Sequence, residues 1–158
     1  MNAVVFYILG FAVLTATFMA VTRRETMHAV IYLVMSFFAL SLIFYMMGAP
    51  LIAALEVIIY AGAIMVLFLF VVMMLDMGMP TRPEGPFMKT WLPAIVLAGV
   101  ILVCSWTMFT GAPEAKAAYI SPRTFGYALY TKYMLAVEIA SLLLLFALVG
   151  ALYLGRRE

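Results

Sequence analysis

Residues 51–75 read LIAALEVIIYAGAIMVLFLFVVMML, and this stretch decides the fold. In 25 consecutive residues the only ionisable carboxylate is Glu56 and the only hydroxyl belongs to Tyr60. A helix rises about 1.5 Å per residue and the hydrocarbon core of a bilayer is about 30 Å thick, so the run is long enough to span. It is apolar on every face and lacks the two-residue alternation of a membrane barrel strand. A backbone crossing hydrocarbon must satisfy its own N–H and C=O groups, which leaves the α-helix as the solution.

Working outward, four more runs meet the same test: Ala3–Val21, His28–Met47, Trp91–Phe109 and Tyr133–Leu154. With Leu51–Leu75 they predict an all-α integral membrane bundle of five transmembrane helices, a single membrane domain over residues 1–158. The whole chain agrees, being 68% hydrophobic and 10% charged. A soluble domain averages about 45–50% apolar and about 25% charged residues. The net charge of +2 gives no basis for binding nucleic acid. Met1-Asn2-Ala3-Val4 lacks a cationic leader region, so the first run reads as a retained anchor helix. No internal repeat is visible, so nothing supports the inverted-repeat plan of many transporters.

Positive charge orients the spans. Arg23, Arg24, Arg82, Lys89, Arg156 and Arg157 fall on one side, and Lys116, Arg123 and Lys132 on the other. The bias of six to three predicts an external N-terminus and a cytoplasmic C-terminus. The stretch Thr110–Lys132, with Pro113, Pro122 and Gly126, reads as a surface loop with a short interfacial piece.

Few residues in the spans can carry chemistry. Glu56 and Glu138 are intramembrane carboxylates, each about five residues into its helix. A charge in hydrocarbon costs roughly 2.5–3.5 kcal/mol on insertion scales, so each needs a partner, water or the headgroup region. Glu56, Tyr60 and Ala63 share one helix face, which allows Tyr60 to hydrogen-bond the carboxyl group. Ala61-Gly62-Ala63 follows at once, and small residues permit close approach of another helix. Glycine also weakens a helix by roughly 1 kcal/mol relative to alanine, which makes Gly62 a candidate hinge or π-bulge. Spacing alone favours simple close packing. His28 lies alone at a helix start, with no second ligand that would make a metal site. Cys104 is the only cysteine and reads as a small packing residue, and the fourteen methionines read as adaptable packing. The sequence has no phosphate loop, nucleophile elbow, CxxC or haem-ligand pair, so it predicts no catalytic, cofactor-binding or metal residue in this chain.

A resemblance extends this reading. His28-Ala29-Val30-Ile31-Tyr32-Leu33, Ser36 and Gly48-Ala49 resemble the second helix and following turn of one family. Ala54-Leu55-Glu56-Val57-Ile58-Ile59-Tyr60-Ala61-Gly62-Ala63-Ile64-Met65-Val66-Leu67-Phe68 and Val71–Leu75 resemble its third helix, and Leu135–Ser141 its last. The family is that of the J subunit of bacterial complex I, the proton-pumping NADH:quinone oxidoreductase, and of mitochondrial NADH dehydrogenase subunit 6. The loops Pro80–Thr90 and Gly111–Arg123 match weakly and carry nothing over.

The resemblance implies a membrane-arm subunit of a respiratory complex in a bacterial cytoplasmic membrane. Its partners would be the quinone-site, small and antiporter-like subunits, a peripheral redox arm, and lipid. FMN, iron–sulfur clusters and bound quinone would belong to other subunits. It also implies a π-bulge near Tyr60-Ala61-Gly62 that reverts to α-helix, so that the side chains presented, among them Tyr60 and Met65, change with the state. Glu56 and Glu138 would then be polar contacts at the edge of a proton path. The electron donor stays open between NADH, ferredoxin and a deazaflavin. The alternative function is a small ion or proton transporter component using Glu56 and Glu138.

Overall fold

The computed structural model describes residues 2–23, 25–75, 87–110 and 121–156. They divide into two compact units, one within Met1–Tyr119 and one within Ile120–Glu158.

In the first unit α1 (Asn2–Thr22) and α2 (Thr26–Met46) form an antiparallel pair. The third helix follows as α3 (Pro50–Leu55), a π-helical segment (Glu56–Ile64) and α4 (Met65–Leu75). The fourth is α5 (Phe87–Thr110). The second unit holds a ten-residue helix, α6 (Pro122–Thr131), and α7 (Met134–Gly155). Five helices are long and apolar enough to cross a membrane: the four of the first unit and α7. The chain is a multi-pass membrane protein. The expected spans hold to within a few residues at each end. The largest difference is at α5, which begins four residues before Trp91 and takes Lys89 into its first turn. Within the expected Thr110–Lys132 loop, α6 occupies Pro122–Thr131, with proline in its first turn. Residues 76–86, which include Arg82, and 111–120, which include Pro113 and Lys116, lie outside the described residues.

Lipid tails are as apolar as leucine, so helices associate in hydrocarbon through close packing and hydrogen bonds. The α1–α2 contact has that composition. Ala12 and Ala16 of α1 and Ala39 of α2 are buried, and their small side chains let the backbones approach. The Thr17 and Ser36 hydroxyls bond across the contact at 2.9 Å. Such bonds are worth about 0.6 kcal/mol on average. Leu9, Ala39, Ile43 and Cys104 form a small core joining α1, α2 and α5, which places Cys104 as a packing residue. Near the first loop, His28 Nδ1 lies 2.8 Å from Glu25 Oε2 and the imidazole packs edge-on against Trp91, 5.4 Å between centroids. His28 therefore ties the start of α2 to that of α5. On α1 the opposite face carries Tyr7, Phe11, Leu14 and Phe18, all exposed. Only hydrocarbon or another apolar protein surface suits such a face.

The connection from α2 to α3 takes three residues, and its chemistry is legible. Gly48 has φ 82°, the left-handed conformation that glycine adopts without a Cβ clash. Its N–H bonds the Tyr45 carbonyl and the Ala49 N–H bonds the Phe44 carbonyl, the paired pattern of a Schellman stop. Pro50 then opens α3, where its missing N–H costs nothing. The turn thus folds the N-terminal half of the third helix directly onto α2.

Candidate functional site

The site is the middle of the third helix. Over Glu56–Ile64 the backbone leaves the i→i−4 ladder of the α-helix and pairs one residue further back. The Met65 N–H, which closes the segment, donates to the Tyr60 carbonyl. At the opening end the Glu56 N–H is shared between the Ile52 and Ala53 carbonyls. The bulge expected near Tyr60-Gly62 is therefore present and extends over nine residues.

Gly62 sits where the wide winding brings a carbonyl close. A Cβ placed on it would lie 3.3 Å from the Val57 oxygen, five residues back. A side chain at this position would press on that carbonyl in the present register.

Of the other named residues, Met65 is buried (8% exposed), as is Ala61, so this face of the helix turns inward. Tyr60 is half-exposed, and its ring packs on Phe37 of α2, 5.3 Å between centroids at 36°. The expected bond from Tyr60 to Glu56 is not formed. Glu56 is half-buried, in the first turn of the π segment. Among the described residues no side chain hydrogen-bonds its carboxyl group. Glu138 stands in α7 of the second unit, exposed, with the Ser141 hydroxyl folded back onto its main-chain carbonyl at 2.7 Å. Glu56, Tyr60, Gly62 and Met65 are thus gathered on one segment.

Sequence reasoning did not single out Ser41 and Phe37, which brace this segment from α2. Ser41 Oγ donates to the Ala53 carbonyl at 3.0 Å, and both residues are buried. They stand four apart on α2, and the only signal in the sequence is a serine in an apolar run, a feature Ser36 shares. No three His, Cys, Asp or Glu side chains among the described residues gather as a metal site would require.

The profile of the family NADH-ubiquinone/plastoquinone oxidoreductase chain 6 matches residues 16–154, a range that takes in the whole third helix and Glu138. NADH-quinone oxidoreductase subunit J of Escherichia coli (strain K12) is 40% identical, over 97% of this chain and 86% of that protein. The protein of the same name from Pseudomonas aeruginosa is 41% identical, over 97% of this chain and 95% of its own length. That of Buchnera aphidicola from Acyrthosiphon pisum is 34% identical, over 98% and 94%. A spanning helix with a nine-residue π segment, a glycine under its i−5 carbonyl and nearly full-length likeness to these proteins lead to one conclusion: the chain belongs to the NADH-ubiquinone/plastoquinone oxidoreductase chain 6 family.

Proposed function

We propose that this chain is a membrane-arm subunit of a complex I-type NADH:quinone oxidoreductase, and that it helps couple quinone reduction to proton translocation by a change of register in its third helix. The first part is supported by the family and by the names of its relatives. The observation that carries the second is the π segment itself. A π segment is one residue out of step with the α-helix on either side, and such segments occur frequently at functional sites. Returning to α winding exchanges each i−5 partner for an i−4 partner with no net loss of backbone bonds, so two registers lie within reach of each other.

In this reading the chain performs no redox chemistry. FMN, iron–sulfur clusters and quinone are held by other subunits, and the quinone-site, small and antiporter-like subunits are its neighbours in a bacterial cytoplasmic membrane. The N-terminus faces outward and the C-terminus the cytoplasm. Gly62 lowers the cost of the switch. Tyr60 and Met65 are the side chains whose presentation changes. Glu56 and Glu138 serve as polar contacts beside the proton path, with the main proton carriers on other subunits.

Gentle-detergent extraction through a C-terminal tag, with native sizing and mass spectrometry, tests the assignment. Recovery in a large assembly with flavin and iron–sulfur subunits is expected, and the subunit list names the electron donor. A stable small species with no redox partners would overturn it. Reporter fusions at the two ends test the orientation, which fails if both report one compartment.

A further inference from the structure

The two halves of the third helix are held very differently, and this bears on which of them moves. The N-terminal half, Pro50–Leu55, is tethered to α2 twice. The Schellman turn leaves three residues between them, and the buried Ser41 hydroxyl bonds the carbonyl of Ala53, whose other donor is the Glu56 N–H at the mouth of the π segment. The C-terminal half, Met65–Leu75, has no side-chain hydrogen bond to α2 or α5 among the described residues. Beside it lies an apolar groove, open on one side, of about 350 Å³, walled by Met35 and Phe38 of α2 and by Ala98, Ile101 and Leu102 of α5, with Leu69 facing it from the third helix.

The register change then has a geometry. When the π segment rewinds to α, the Met65 N–H passes from the Tyr60 carbonyl to that of Ala61. Everything beyond turns by one residue's share of a helical turn, about 100°. If Pro50–Leu55 is fixed, the place of Leu69 at the groove falls to the residue before it, Phe68. In the present register Phe68 is 44% exposed. An incoming phenyl ring larger than the leucine it replaces would overpack a filled interior. Here the space already exists.

We propose that α2 is the fixed frame of this switch: Ser41 is the positioning residue that holds Pro50–Leu55 still, and the groove beside Leu69 is the seat that Phe68 takes in the α register. The proposal rests on the register change put forward above, and it adds which half turns, what anchors the other and where the moving aromatic goes.

Thiol cross-linking in the assembled complex tests it. With Cys104→Ala as background, two cysteine pairs are made: Leu69→Cys with Ala98→Cys, and Phe68→Cys with Ala98→Cys. A short bifunctional thiol reagent is applied to idle enzyme and to enzyme turning over with NADH and quinone. The expected result is that the first pair links in the idle enzyme and that the second gains several-fold in yield during turnover. Gly62→Val should give the second pair without turnover. In Ser41→Ala the ratio of the two pairs should lose its dependence on turnover, and Ser41→Thr, which keeps the hydroxyl, should restore it.

The outcomes separate the claims. If Gly62→Val abolishes coupled turnover while the Phe68 pair forms in no state, the seat is overturned and the register change stands. If Gly62→Val turns over normally and neither pair changes, the register change falls and this proposal with it. A turnover-dependent ratio that survives Ser41→Ala overturns the role given to Ser41.

Discussion

Replacing Gly62 in steps of side-chain size titrates the proposed register change. Alanine brings a Cβ to 3.3 Å from the Val57 oxygen, just inside ordinary contact, and a shift of a few tenths of an ångström relieves it. The cost to the π register is on the order of 0.5 kcal/mol, about a twofold shift toward α, since 1.4 kcal/mol is tenfold in population. Valine adds two γ-carbons on a stiff χ1 that cannot all turn from the carbonyl. Overpacking of this kind costs about 1–3 kcal/mol, a shift between roughly fivefold and a hundredfold. This cost is assigned to the π register, in which the Val57 carbonyl lies beside residue 62. A switch whose states lie within a few kcal/mol is locked by the larger figure. Gly62→Ala should therefore keep most coupled turnover and Gly62→Val should lose roughly tenfold or more. The assay is NADH:quinone activity and proton uptake in membrane vesicles. Reduction of a hydrophilic artificial acceptor by NADH reports the redox arm, and native gels report assembly. A Gly62→Val complex that assembles and pumps at the unsubstituted rate would refute the reasoning.

Other substitutions probe the frame around the switch. Ala39→Leu forces a larger side chain into a fully buried contact of α1 with α2, at a cost of about 1–3 kcal/mol, and should lower the amount of assembled complex on native gels. Gly48→Ala must hold φ near 82°, a penalty of roughly 1–2 kcal/mol, and should shorten the half-life of coupled activity on heating while leaving the initial rate near normal. Glu56→Gln keeps shape and hydrogen-bonding capacity and should reduce coupled turnover about twofold. Complete loss in an assembled complex would make Glu56 a proton carrier instead of a polar contact.

Much of this molecule is legible in its sequence because the bilayer leaves the chain few options. Unbroken apolar length sets the five spanning helices, and Gly48-Ala49-Pro50 announces the turn that the structure forms with φ 82° at the glycine. The π segment is legible in part. Gly62 marks a weak point, but spacing alone favours close packing there, and the resemblance to a family decided between the two. Its nine-residue extent has no local signal, since Val57, Ile58 and Ile59 are as suited to α winding as to π. The bracing from α2 is illegible for a different reason. Ser41 and Phe37 act through the identity of their neighbours, Ala53 and Tyr60, and pairing across helices leaves no mark on spacing within one helix. Likewise the face shared by Tyr60 and Glu56 suggested a bond along the third helix, whereas the structure packs the tyrosine ring on Phe37 of α2.

The π segment also gives the third helix a spare residue. Removing one residue from a spanning helix ordinarily turns everything beyond it by about 100° and sets the wrong face against its neighbours. Between Glu56 and Ile64 the chain already carries that residue as slack, so losing it would straighten the winding and leave both ends of the helix where they are now. Length at this point is constrained by motion and not by architecture. A shortened relative could keep the fold and its partners intact while being unable to change register, and comparing chain lengths across the segment would separate proteins that switch from proteins that only resemble them.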